Sequence, residues 1–418
     1  MGKELHMSQT NETVYDVLIA GAGIPGAILA LGVARLGYRV ALIDPGEGLV
    51  KSGDTRTTAF LPESLDFLDR FALLDPVRGQ AQPLMHMRLM NDQGELRDRP
   101  AALTFDGAAG APLALNIPNA ILAQSLAEAI ATLGGRLDCL WNTRILKAEE
   151  AGGRARLGLD SGQSLSAPMA IAADGRTSTI RTLLNISWRG ASTHQTALTA
   201  RLRHMRPHEG VSTEFHRHTG PMTFVPVREA CPGSRQGDEP TGGQGDGHET
   251  ALVWCLSNAV ADQMWALDDE AFLGRVQMAS RGILGRIDSL HARGRFPVRP
   301  GMAAALHRGS FALMAEAAHV LPPLLAQGLN LSLKDCEIML RQVQHHGPGA
   351  QAAQAYAAAR WPDVAARLAV SEGLNQFLHQ APPPLSAVYR LGHRGLQSLP
   401  FARQLVVRLG QRGQQSLP

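Results

Sequence analysis

A short β-branched and apolar run at residues 14–20 ends in Gly21-x-Gly23-x-x-Gly26, and an Ala- and Leu-rich run follows at residues 27–36. This pattern constrains the fold more than any other in the chain, because it reads as a buried parallel strand, a tight turn and a helix. Gly21 permits the turn, Gly23 lets a ligand's pyrophosphate approach the backbone, and Gly26 allows the helix to pack closely on the strand. Gly37 stops the helix and residues 38–43 form a second strand. That strand ends at Asp44, 18 residues beyond Gly26, where a carboxylate accepts hydrogen bonds from ribose hydroxyls. Both NAD and FAD satisfy this half of the pattern, and a glycine-rich turn without a ligand is the plain alternative. Residues 17–34 carry no charge and are long enough to resemble a membrane span, but three glycines and Pro25 suit a strand, turn and helix better.

Far along the chain, residues 313–335 read as an apolar strand, a turn bearing Glu316, a Pro322-Pro323 loop, and a helix opened near Gln327, Gly328 and Leu329 that runs to about residue 340. A third apolar strand at residues 169–173 leads into Asp174-Gly175-Arg176, then a helical tail with Ser178 and Arg181 on one face. A nucleotide site drawn from both ends of a long chain is what a flavin requires, since the two ends of FAD need separate supports. The G-x-G-x-x-G pattern occurs once, so a nicotinamide donor has no comparable site of its own.

At 418 residues the chain exceeds one ordinary core, and two packed domains are expected. A net charge of +3 and the absence of a Lys/Arg-rich block argue against nucleic acid as a partner. The four cysteines are scattered without C-x-x-C spacing, which predicts reduced thiols in a cytosolic protein and no metal site. Residues 1–13 are polar and include acids, unlike a secretory signal.

Asp174-Gly175, Asp54-Thr55-Arg56 and the 313–328 segment together resemble the flavoprotein aromatic hydroxylases. Gln195-Thr196-Ala197, Glu214-Phe215, Gly220-Pro221, Ala326-Gln327-Gly328-Leu329-Asn330 and Gly373-Leu374-Asn375-x-Phe377 leading to Arg390 narrow the similarity to the ubiquinone-biosynthesis hydroxylase family, over roughly residues 14–413. The resemblance implies an α/β fold: a Rossmann-type FAD-binding domain, a second domain built on a mostly antiparallel sheet, and a C-terminal helical segment. It implies FAD contacts from Gly21, Gly23, Gly26, Asp44, Arg56, Asp174, Glu316, Gln327, Gly328, Leu329 and Asn330, with Pro322, Pro323 and Gln327 lining the pocket over the flavin. The implied reaction is hydroxylation of a polyprenylated phenol by O2 through a flavin C4a-hydroperoxide, with NAD(P)H or a separate reductase as electron donor. The alternatives are a hydroxylase of a small soluble aromatic, and a weakly flavinylated or non-catalytic member of a quinone-biosynthesis assembly. The last is motivated by Ala315-Glu316, which stand where the family has Gly-Asp, and by Ala326 and Ser332 in place of glycine.

The expected flavin domain comprises residues 14–75, 103–185 and 296–372, and the substrate domain residues 76–102 and 186–295. His319, flanked by Ala318 and Val320, is expected to be packed and hydrogen-bonded rather than catalytic, and His194, His208, His216 and His218 to be surface or sheet residues. Residues 229–249 are turn-rich, matching a solvent loop. The segment 373–418 carries no acid, and its interleaved arginines and apolar residues suit an inner-membrane surface or other quinone-biosynthesis proteins; arginines left in solvent are the alternative.

Overall fold

The computed structural model describes residues 12–92, 101–107, 110–190, 194–217, 219–228, 248–322 and 327–380. Pro323, Ala326, His218, residues 229–247 and the basic stretch from 381 onward, including Arg390, lie outside the described residues.

The run at residues 17–34 folds as a buried strand, Val17–Ala20, and a helix, Ile24–Arg35. Among the described residues no helix is long and apolar enough to cross a membrane. Val17–Ala20 pairs in parallel with Val40–Ile43 on one side and Met169–Ala172 on the other. Leu137–Leu140 extends the first side, and Phe311–Leu313 the second, also in parallel. The spatial order runs His307–Arg308, Phe311–Leu313, Met169–Ala172, Val17–Ala20, Val40–Ile43, Leu137–Leu140. Chain order therefore reverses between Val17–Ala20 and Met169–Ala172, the topological switch point at which open α/β sheets bind ligands beyond the strands' carboxyl ends. Both strands are fully buried, as expected for a parallel sheet covered on both faces.

Two late helices pack on this unit, and one of them, Ala350–Gln380, lies against Phe311–Leu313. The other, Gln327–His346, six residues longer than the expected end at 340, lies against the glycine-turn helix. A Cβ on Gly32 would meet Leu340 Cδ1 at 2.7 Å, so glycine is what lets the two helices approach. Cys336 Sγ donates to the Pro25 carbonyl at 3.3 Å, joining the two ends of the sequence beside the turn.

A seven-stranded sheet runs Ile287–Val298, Gln195–His204, His248–Ser257, Met222–Val227, Val211–His216, His86–Asn91, Ala101–Asp106. Every pairing is antiparallel except Val211–His216 with His86–Asn91. Strand alternation sends Leu198, Phe215, Phe224 and Leu252 to one face, where they pack with Met264, Phe272 and Val276 of two covering helices. Thr199, Arg201, Ser212, Glu214, Thr223 and Val253 fall on the opposite face, toward the parallel sheet. Ile287–Val298 continues past the expected boundary at 295, and the helix Ala350–Gln380 runs through the one at 372, because each is a single uninterrupted element.

Candidate active site

The three glycines of the first turn have different neighbours. Gly21 is left-handed at φ +96°, and a Cβ there would lie 2.4 Å from the Ala173 carbonyl oxygen. A Cβ on Gly26 would lie 1.9 Å from the Gly21 oxygen. At Gly23 the nearest atom to an added Cβ is Pro25 Cδ at 3.8 Å, and the residue lines an open cavity. The protein itself thus requires glycine at 21 and 26, whereas at 23 the space is left to a ligand. The helix that begins here has no side-chain cap and no acid in its first turn, so its N–H groups and positive dipole end are presented to an anion. Asp44 is buried, and its carboxylate accepts from Ala22 N at 2.6 Å and Gly46 N at 2.7 Å. Those bonds fix the acid at the strand end, and each carboxylate oxygen has a further acceptor site.

The cavity above this turn measures about 1140 Å³ and is continuous from the glycine turn to the seven-stranded sheet. A single drug-sized ligand occupies a pocket of roughly 300–1,000 Å³, so the space suits a dinucleotide together with a second molecule. Gly21, Gly23, Asp44, Arg56, Asp174, Glu316, Pro322, Gln327, Gly328 and Leu329 all line it. Gly26 does not, and acts through packing.

Asp174 caps the short helix after it, accepting from Thr179 N at 2.8 Å and Ile180 N at 3.2 Å. Its other oxygen is buried without a hydrogen-bond partner. A buried acceptor left unmatched on a cavity wall is what a ligand hydroxyl would satisfy. Arg56 makes a two-pronged pair with Asp54, both bonds at 2.8 Å. The hydrogen bond from Arg56 holds the Asp54 carboxyl below its ordinary range and raises the guanidinium in turn. The open glycine face, the uncapped helix end and the unmatched Asp174 oxygen fit a bound FAD.

The second turn differs from expectation in its details. Glu316 does line the cavity, but its carboxylate is paired to Arg176 at 2.9 Å, across from the Asp174-Gly175 element. Ala315 adopts φ +52°. Its N–H donates to Asp335 Oδ2 at 2.9 Å, which also receives His319 Nε2 at 2.7 Å, while Arg360 Nε meets Asp335 Oδ1 at 2.7 Å. Burial alone would raise the Asp335 carboxyl, but His319 and Arg360 outweigh it and bring it down to about 2. His319 is therefore a packed, bonded residue. Arg181 donates to the Ala317 carbonyl and the Arg176 carbonyl, both at 2.8 Å, and ties the two cavity-lining segments together.

The Asn330 amide accepts from Leu61 N at 3.0 Å and donates to the Ala59 oxygen at 2.9 Å. Its place on the helix turns this side chain toward the strand Thr57–Phe60, so it joins two elements, and it is not among the residues lining the cavity. Ser332 lines the cavity, with its hydroxyl donating back to the Gly328 oxygen at 3.0 Å.

Beyond the turns, the cavity wall is mixed: Leu84, Met87, Val225, Val253, Phe296 and Val320 are apolar, while Thr199, Arg201, Ser212, Glu214 and Thr223 of the sheet are polar or charged. Glu214 on this wall is paired with the buried His216 at 2.8 Å, a contact the sequence reading did not predict. Their spacing of two places them on one strand face, which was the available signal.

A model of the FAD binding domain matches residues 14–355. Ubiquinone hydroxylase UbiL of Rhodospirillum rubrum is 30% identical over 399 residues, covering 91% of this chain and 86% of the relative. Ubiquinone hydroxylase UbiM of Neisseria meningitidis is 22% identical, covering 78% and 68%. The crystal structure of p-nitrophenol 4-monooxygenase PnpA from Pseudomonas putida shares the fold with a TM-score of 0.76 at 16% identity, covering 97% of this chain and all of that one. Taken with the glycine turn and the cavity at the switch point, these similarities show that the chain belongs to the FAD-dependent monooxygenase family of ubiquinone biosynthesis.

Proposed function

We propose that this protein hydroxylates the aromatic ring of a polyprenylated phenol on the route to ubiquinone, using FAD and O2. The observation that carries the reading is one continuous cavity leading from the first glycine turn, past the second turn, to the seven-stranded sheet. In this reading the Gly21–Gly23 backbone and its helix end hold the pyrophosphate, Gly26 keeps that helix close, and Asp44 holds the adenosine ribose. Arg56, Asp174 and Glu316 border the middle of the cofactor. Gln327, Gly328 and Leu329 present the start of a helix with no acid in its first turn to the isoalloxazine, where a positive dipole end stabilises negative charge. Bound FAD supplies the oxygen chemistry, reduced by NAD(P)H or a separate reductase, one oxygen atom passing to the ring and the other leaving as water. The protein orients the ring and excludes water. Pro322 belongs to the floor on which the ring lies, and Leu84, Met87, Val225, Val253 and Phe296 are the apolar lining residues that a prenyl chain would meet.

The division into a flavin domain at 14–75, 103–185 and 296–372 and a substrate domain at 76–102 and 186–295 belongs to the same proposal. So does a peripheral site on the inner membrane, engaged through the basic residues after 373.

Purified protein should be yellow with a flavin spectrum. Deletion of its gene should accumulate a prenylated quinone precursor lacking one hydroxyl, read by mass spectrometry. A colourless protein that still binds assembly partners contradicts the enzymatic reading and supports the scaffold alternative. An unchanged quinone profile contradicts the substrate.

A further inference from the structure

The geometry points to the buried His319–Asp335–Arg360 network as the device that holds Ala315 in a glycine-like conformation, making Asp335 a positioning residue for the cofactor. The inference rests on the reading that the turn at 315–316 faces FAD. Ala315 sits at φ +52°, a backbone state that an L side chain opposes and glycine accepts freely. Something outside the residue must hold it there. Asp335 does so with one oxygen that takes two donors from the same turn, Ala315 N at 2.9 Å and His319 Nε2 at 2.7 Å. Its other oxygen takes Arg360 Nε at 2.7 Å, from the helix Ala350–Gln380. Asp335, Arg360 and His319 are only 0%, 1% and 3% exposed, so water does not compete for these bonds.

The position of Asp335 gives the network its meaning. It lies on the Gln327–His346 helix, whose first residues line the same cavity as Ala315 and Glu316. A single carboxylate therefore sets the register between two cavity-lining segments. Arg181 grips the turn from the other side through the Ala317 carbonyl. Loosening the clamp should let Ala315 relax from its left-handed state and shift the turn. A glycine at 315 should keep the turn in place without help.

The test is a double-mutant cycle of His319→Leu and Ala315→Gly in the full-length protein. FAD affinity is read by fluorescence titration of apoprotein, and exchange of the residue-315 amide is read without FAD. His319→Leu should weaken FAD about tenfold and speed that exchange, Ala315→Gly alone should change affinity less than about twofold, and the double variant should return to within about threefold of wild type. Restored affinity without restored melting temperature separates positioning from simple stabilisation. Wild-type affinity in His319→Leu, or a double variant as weak as the single, overturns the inference. Exchange that responds while FAD affinity does not also overturns it, whereas loss of flavin in a Gly23→Val variant would still uphold the proposed FAD site. Asp335→Asn should act more strongly, and the His319→Leu cycle decides the matter if that variant does not fold, because Arg360 keeps its partner there.

Discussion

The two turns that border the cavity reach the same end by opposite means. At the first, glycine stands wherever the backbone leaves no room, and the side chains from elsewhere that bond to it are Asp44 and Cys336. At the second, alanine stands in a left-handed conformation, and four residues hold it: Asp335, Arg360 and Arg181 from three other elements, and His319 within the turn. A local choice of residue shapes the first turn, while the second borrows its shape from tertiary structure. The first should therefore fail abruptly when a single atom is added, and the second gradually as its supports are removed.

The largest effect is expected at Gly26. A methyl group there would lie 1.9 Å from the Gly21 oxygen, so Gly26→Ala should lower apoprotein stability by about 3 kcal/mol in a denaturant titration. A near-wild-type midpoint would mean that this turn is not closed as described. Gly23→Val should abolish flavin retention while changing apoprotein stability by about 1 kcal/mol, since only the open face is filled. Full FAD occupancy in that variant would remove the pyrophosphate from this turn.

Acid should distinguish the turns next. The Asp335 carboxyl lies at about 2 in the folded protein against an ordinary 3.8. Its stabilisation is thus present above about pH 4 and is lost as pH falls through 2, a contribution of about 2 kcal/mol. Removing the His319 contribution in His319→Leu should shrink this acid limb in urea midpoints measured from pH 5 to 2. An identical limb in both proteins would show that the clamp does not titrate as a unit. The smallest effect is expected from Glu316→Asp, which should hold FAD at least as well as the natural residue. Release of FAD by that substitution would mean that the backbone of the second turn runs in a different register.

This contrast also explains what could be read in the sequence. The strand, glycine turn, helix and Asp44 were legible because each is written as a residue type at a fixed spacing along one stretch of chain. The conformation of Ala315 was not, because its partner Asp335 is 20 residues away and the other supports come from Arg181 and Arg360. The side-chain partners of Asn330, Leu61 N and the Ala59 oxygen, were not legible either, because a motif indicates a position along a helix, whereas the face it presents depends on how that helix docks. The pairing of Glu214 with His216 was missed: residues two apart on Val211–His216 share a strand face, but only the fold shows that Glu214 looks toward the cavity and not toward the helices at Asn258–Trp265 and Asp269–Ala279.

The central claim is that both turns serve one cofactor, and a structure of the FAD complex tests it most directly. One FAD per chain should be found, its adenosine ribose against Asp44 and its isoalloxazine at the Gln327–Leu329 end of the late helix. An FAD bound with both ends on the first turn, or lying outside this cavity, would contradict the account.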